Sequence, residues 1–251
     1  MEMQSINLLG VNIHDAIYGQ IVQMASDAIR QRKKITLFAV NVHTFIEAVN
    51  NSDYREALNS ATVSYPDGVP ILWASNLVAE KLPERIFGPE LMLRLLGLPN
   101  YTNFIIGGTP SELKRAQTNL TKVFPDGKIV GTLSPPFRKL SDEEENELIN
   151  TINKAKPDIL WVALGAPKQE MCVYTHKDKL NVPVIAAIGA AVKYHAKIIR
   201  EAPSWMHNYG LEWVWRLIQE PKRLWQRYLF TNTQFIWLIT KELLKKKFCH
   251  R

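Results

Sequence analysis

Short apolar runs alternating with helix-length stretches dominate this 251-residue chain, and they constrain its fold more than any other feature. Ile35 to Asn41 reads as a buried strand, and a helix is expected through Thr44 to Leu58. Ala61 to Tyr65 is a second strand, ending in Pro66-Asp67-Gly68, and Phe104 to Gly107 a third, ending in Gly107-Gly108-Thr109-Pro110. Lys128 to Thr132 is the fourth, and Ile159 to Leu164 the fifth, ending in Gly165-Ala166-Pro167. Val184 to Ile188 is the sixth, ending in Gly189. Near-continuous apolar strands separated by helices predict an α/β fold with a mostly parallel sheet covered on both faces. In such sheets the ligand crevice lies at the carboxyl ends of the strands. Asn41, Asp67, Gly107, Gly108 and Gly165 are therefore expected to converge there.

The alternation stops after Ala202-Pro203, where the composition also changes. From Arg216 to Arg251 there are nine Lys or Arg against two acids, so this stretch carries the whole formal charge of +7. Five of the seven Trp lie between Trp205 and Trp237. The chain divides into a neutral body, residues 1–203, and a helical, basic, Trp-rich appendage, residues 204–251. No apolar run approaches the ~20 residues needed to cross a bilayer. The N-terminus lacks the charged-then-apolar pattern of a signal peptide. Two cysteines, Cys172 and Cys249, cannot build a disulfide framework, and they fit a reducing cytoplasm.

Three strings could carry chemistry. Asp67, just past a strand, could take a proton from an attacking hydroxyl; it could equally cap the next helix, and spacing alone favours the cap. Gly107-Gly108-Thr109-Pro110 precedes a helix whose N-terminal N–H groups would suit a diphosphate, although Gly-Gly also makes an ordinary tight turn. In Gly165-Ala166-Pro167-Lys168-Gln169-Glu170, Gln169 could hydrogen-bond a sugar or phosphate; the plainer reading is a Pro-started helix with exposed Lys168 and Glu170. Neither the dinucleotide fingerprint nor the phosphate loop is present, which disfavours a nicotinamide oxidoreductase or an ATP enzyme. Metal-ligand spacings, an Asp-x-Asp pair and a serine-hydrolase elbow are absent, so no metal is expected. His195 reads as structural. Asp142 to Glu145 follow Ser141 and read as a solvated helix start.

The tail admits three readings: a membrane-surface element, a nucleic-acid surface, or a helical cap packed on the body. Large apolar residues accompany its charge, which favours the membrane surface and disfavours nucleic acid.

Several separated strings then resemble one pattern: Tyr65-Pro66-Asp67-Gly68, Arg85 with Gly88-Pro89-Glu90-Leu91, and Gly107-Gly108-Thr109-Pro110. Pro157-Asp158-Ile159-Leu160 leading into Gly165-Ala166-Pro167-Lys168-Gln169-Glu170 follows. Gly210-Leu211-Glu212-Trp213, Arg216 and Glu220-Pro221-Lys222-Arg223-Leu224-Trp225-Gln226-Arg227 complete it. In this order they resemble the WecB/TagA/CpsF family of bacterial glycosyltransferases, over roughly Ile6 to Phe235. The resemblance implies a Rossmann-like enzyme and inverting, metal-independent transfer from a UDP-sugar carrying N-acetylmannosamine, its uronic acid or a hexose. The acceptor it implies is a sugar on a polyprenyl diphosphate, used for teichoic acid or other surface polysaccharide. It further implies Asp67 as base and Asn41, Arg85 and Gln169 as substrate-binding residues. Gly107, Gly108, Thr109 and Gly165 would lie at the donor phosphates. Arg216, Arg223 and Arg227 would come from an appendage that meets the inner face of the cell membrane peripherally. A homo-oligomer is compatible with it. Two departures stand out. Lys193 occupies a position where relatives carry an acid, and Ala39 one where they often carry Thr. Lys193 motivates a competing reading: a catalytically silent nucleotide-sugar or lipid-binding relative that organises a membrane complex.

Overall fold

Alternation along each strand sorts the apolar side chains onto two opposite faces, and each face grows its own core. A computed structural model describes residues 3–249, without the side chains of Asn208 and Cys249. The cysteine reading can therefore be followed only at Cys172, which is a free thiol, Cys249 lying outside the described side chains. The six predicted strands all form: β3 (Ile35–Val40), β4 (Val63–Pro66), β5 (Thr102–Ile106), β6 (Lys128–Leu133), β7 (Ile159–Val162) and β8 (Val184–Ala187). They make one parallel sheet of order β4-β3-β8-β7-β5-β6. Phe38, Val40, Phe104, Leu160 and Ile185 point into one core; Leu37, Ala39, Ile105, Trp161 and Ala186 point into the other. The architecture is the α/β, Rossmann-like sheet flanked by helices that the sequence implied.

Helices α1 (Tyr18–Gln31), α5 (Gly88–Leu96), α6 (Pro110–Val123) and α9 (Ala191–His195) contribute to the second core. The first core takes α2 (Val42–Asn50), α3 (Ser52–Asn59), α4 (Val69–Val78), α7 (Asp142–Ala155) and α8 (Lys168–His176). The single helix expected from Thr44 to Leu58 is broken, because the Asn51 side chain accepts from the Asp53 and Tyr54 N–H groups and starts a new helix. An unexpected hairpin, β1 (Ser5–Leu8) and β2 (Val11–His14), precedes the sheet. It backs the edge strand β4, whose Ser64 N–H donates to His14 Nδ1 at 3.0 Å. The acidic run opens α7 as read, with Ser141 and Glu144 forming a capping box.

After β8 the chain is helical: α10 (Ser204–Asn208), α11 (Glu212–Gln219) and α12 (Pro221–Cys249). α12 spans about 43 Å at the usual helical rise and seats one face on the body. Phe235 and Ile239 enter the first core, Phe235 meeting Phe45 edge-to-face at 5.5 Å. The Asn50 and Gln234 amides exchange two hydrogen bonds. Its other face leaves Trp225, Leu229, Phe230, Ile236 and Trp237 exposed. Among the described residues, no helix is long and apolar enough to cross a membrane.

Gly107 shows how tightly the strand ends are drawn together. Its φ is +103°, and a Cβ there would lie 2.4 Å from the Ala163 carbonyl oxygen. Gly165 has φ +81° but open space around it. Gly107→Ala should therefore destabilise the fold by more than about 2 kcal/mol, against about 1 kcal/mol for Gly165→Ala. Urea denaturation of both variants checks the difference; equal losses would contradict this packing.

Candidate active site

A cavity of about 1130 Å³ opens over the carboxyl ends of the strands, roofed by the tail helices. Asn41, Asp67, Arg85, Gly108, Thr109, Gly165, Gln169, Arg216, Arg223 and Arg227 all border it. Of the residues the sequence singled out for the site, Gly107 is not on its lining. It sits one layer behind, against Ala163, with its N–H bonded to the Leu133 carbonyl at 2.9 Å.

Asp67 does not cap a helix. Gly68 occupies the N-cap of α4, and the Asp67 carboxylate turns to the cavity with 22% of its side chain exposed. Its own N–H is fixed to the Val40 carbonyl at 2.8 Å. Burial pushes its pKa up to about 6; the nearby Arg85 and the Asn41 side chain act in the opposite direction, and Glu212 adds to the rise. Asn41 has two jobs. Its Oδ1 accepts from the His43 and Thr44 N–H groups and so caps α2, while its side chain also supports the Asp67 carboxylate.

Arg85 lies in the connection between α4 and α5, locked by Ile86 N–H on the Pro66 carbonyl (2.8 Å) and Phe87 N–H on the Tyr18 hydroxyl (2.7 Å). Its Nε is 3.9 Å from Asp67, and its other end binds Glu212 and His207. Burial pushes the Glu212 carboxyl up, but hydrogen bonding from His207 and the charge of Arg85 more than offset it and hold it below its ordinary value. Glu212 stands in the first turn of α11, where the helix dipole favours an anion. The tail thus reaches the candidate base through one arginine.

The other cations of the tail share Glu220. Arg216 and Arg223 each donate to Glu220 at 2.8 Å, and Lys193 approaches it at 3.5 Å. Arg216 also donates to the Tyr194 hydroxyl at 3.3 Å. Lys193 is 3.8 Å from Glu112 on α6 as well, so it lies between two carboxylates. Arg227 turns inward and is largely buried, and its Nε has no partner among the described residues. Burial pulls its pKa down to about 10.

The glycine turn carries a capping box: Thr109 N–H donates to Glu112 at 2.7 Å, and Glu112 N–H to Thr109 Oγ1 at 3.3 Å. Part of the donor set expected for a diphosphate therefore already has an internal partner, while Gly108 borders the cavity. Gln169 is buried. Its Oε1 accepts from the Gly165 and Gly189 N–H groups, at 3.2 and 3.1 Å, joining the loops that follow β7 and β8. The plainer reading of this string fails at Glu170, which is fully buried, and holds at Lys168, which is exposed. His195 is structural as read: its Nε2 meets the Pro89 carbonyl, and burial drives its pKa down to about 4. No group of three or more His, Cys, Asp or Glu suited to a metal occurs among the described residues.

Sequence reasoning gave no role to Glu112, Glu170, Glu212 or Glu220. Three of the four stand inside strings it had singled out, so the signal was position within the motif, and their partners came only with the fold.

Residues 6–248 match the model of the glycosyl transferase WecG/TagA/CpsF family. Curated relatives agree. The chain is 28% identical over 223 residues to the N-acetylglucosaminyldiphosphoundecaprenol N-acetyl-beta-D-mannosaminyltransferase of Bacillus subtilis (strain 168), covering 88% of this chain and 85% of the relative. It is 26% identical to the enzyme of that name from Bacillus spizizenii, covering 91% and 88%. The protein of that name from Staphylococcus aureus (strain MW2) is 25% identical, covering 87% and 86%.

The Asp67 environment makes a titration prediction. A carboxyl whose folded pKa lies above its unfolded value costs the folded state progressively as pH rises from about 4 to about 6. Asp67→Asn should remove this penalty, gaining on the order of 2 kcal/mol relative to wild type between about pH 4 and pH 8. Arg85→Gln should raise the Asp67 pKa further. Carbon-detected NMR of the Asp67 carboxyl and denaturation at both pH values check the pair; a pKa near the ordinary Asp value would refute the assignment.

Proposed function

The chain belongs to the glycosyl transferase WecG/TagA/CpsF family, and on that premise we propose that it is an inverting hexosyltransferase in which Asp67 activates the acceptor. The proposed donor is a UDP-sugar, with N-acetylmannosamine the first candidate because the relatives' names carry that sugar. Its uronic acid and a hexose are the other candidates. The proposed acceptor is a sugar on a polyprenyl diphosphate, as in the relatives' names, used for teichoic acid or another surface polysaccharide.

One observation carries the reading: a carboxylate pushed up to about 6 faces a cavity that three arginines from the tail also line. A base near neutrality is ionised when needed and still holds a proton usefully. Asp67 takes the proton of the acceptor hydroxyl, whose oxygen forms a bond to the anomeric carbon while the bond to the UDP oxygen breaks. One displacement inverts that centre. Negative charge then grows on the leaving diphosphate, where Arg216, Arg223 and Arg227 supply charge-assisted hydrogen bonds. No metal enters this scheme. Arg85, held by Glu212, keeps the Asp67 carboxylate oriented.

The exposed aromatic stripe of α12 and its lysines support peripheral contact with an anionic membrane, at roughly 1 kcal/mol per cation near the surface. A lipid-linked acceptor would then be met at the surface on which the tail rests. Lys193 bears on the competing, catalytically silent reading. Its salt bridges to Glu112 and Glu220 link the glycine turn to the tail arginines, a role compatible with an active enzyme.

Asp67→Asn should lower kcat about 10²- to 10⁴-fold with little change in donor KM, and the wild-type acid limb should fall near the Asp67 pKa. Radiolabelled transfer to lipid acceptor measures both. Equal rates for wild type and variant would remove Asp67 as base, and a wild type silent with every UDP-sugar would favour the binding reading. A chain ending after Pro203 should lose transfer to lipid acceptor altogether.

A further inference from the structure

Glu170 is the acid of the Pro-Lys-Gln-Glu string, and the scheme above leaves it without a task. It is fully buried in the first turn of α8. Its Oε1 accepts from Gln169 Nε2 at 2.7 Å. That bond decides which way the Gln169 amide faces, and the decision matters. Only with Nε2 toward Glu170 does Oε1 meet the two backbone donors of Gly165 and Gly189; the flipped amide would set an NH₂ against two N–H groups.

The second oxygen, Oε2, has no partner among the described residues. Three further buried polar atoms in this region share that condition: Arg227 Nε on α12, Tyr54 Oη on α3 and His43 Nδ1 on α2. Arg227 is close enough for its charge to favour the ionised carboxylate, and the neighbouring Tyr54 acts in the same direction. A buried carboxylate and a buried guanidinium each lose hydration, and each becomes tolerable beside the other.

We propose that Glu170 is a positioning residue that couples the tail to the cavity floor, one oxygen orienting Gln169 and the other, with no salt bridge formed, attracting the guanidinium of Arg227 by its charge. Docking of α12 supplies the cation that Glu170 lacks within the body. The same carboxylate then sets both the loops beneath the donor and an arginine above it. The kinetic part of this inference rests on the transferase reading; the coupling itself does not.

The test is a double-mutant cycle of Glu170→Gln and Arg227→Gln, read by hydrogen exchange across residues 223–231. Around the pair stand Tyr54, His43, Glu47 and Tyr65 on the body and Arg216, Arg223 and Tyr228 on the tail. Burial carries Glu170 to about 7 and His43 down to about 4, and it raises the three tyrosines. Glu170 is thus ionised at about pH 8.5 and protonated at about pH 5.5, and only its ionised form attracts Arg227. At the higher pH, Arg227→Gln should speed exchange about 10-fold with Glu170 present and less than about 2-fold in the Glu170→Gln background. At the lower pH the two backgrounds should agree. Equal effects in both backgrounds at about pH 8.5 would overturn the coupling.

Should Glu170→Gln fail to fold, carbon-detected NMR of Glu170 serves instead. Arg227→Gln should raise the Glu170 pKa, and an unmoved value overturns the proposal. In transfer assays Glu170→Gln should lower kcat about 10-fold in a normally folded protein; an unchanged kcat removes the positioning role. A wild type that transfers no sugar would defeat the function proposed above, while exchange and titration still decide this inference.

Discussion

Arg85 is held by a carboxylate from each side, Asp67 at the end of β4 and Glu212 in the first turn of α11. The body owns one anion and the tail the other. A largely buried guanidinium between them has little access to water and is tolerable only beside carboxylates that offset its charge. The rest of the site follows from that pairing. With α11 drawn to Arg85, Glu220 at its far end collects Arg216, Arg223 and Lys193, and α12 runs back over α2 to bury Phe235 and Ile239. Electrostatics set the near end of the tail and apolar packing the far end.

Most of the body was legible because a parallel sheet writes its strands as uninterrupted apolar runs. Ile35–Val40 and Val184–Ala187 stand where such runs were read, their ends moved by a residue or two. The hairpin escaped because Ile6, Leu8, Val11 and Ile13 alternate over only four residues per strand, too short to rise above the background. The break at Asn51 was visible in principle, since Asn is a strong cap, but the apolar period continued across it. Thr109 and Glu112 have the spacing of a capping box, yet the adjacent glycines drew the reading toward a ligand.

The site was legible only in its positions. Spacing alone favoured Asp67 as a cap, and the fold gave that place to Gly68. The buried acids were harder. Nothing local distinguishes Glu170 from exposed Lys168 two residues earlier; the difference is which side of α8 meets the sheet, and that depends on packing across the whole domain. Glu212 is likewise an ordinary first-turn acid until Arg85, 127 residues earlier, is folded against it.

His14 lends an imidazole nitrogen to the backbone of β4, the strand that carries Asp67 at its end. β4 lies at the margin of the sheet, with β3 on one side and no further strand of that sheet on the other. Such a margin invites a second molecule to add its own strand. The hairpin acts as a fender there, and His14 fills a hydrogen bond that an intruding chain would otherwise accept. Burial favours the neutral ring this contact requires. The small element at the front of the chain, remote from any sugar chemistry, thus helps keep copies of the enzyme from fusing edge to edge when they crowd together.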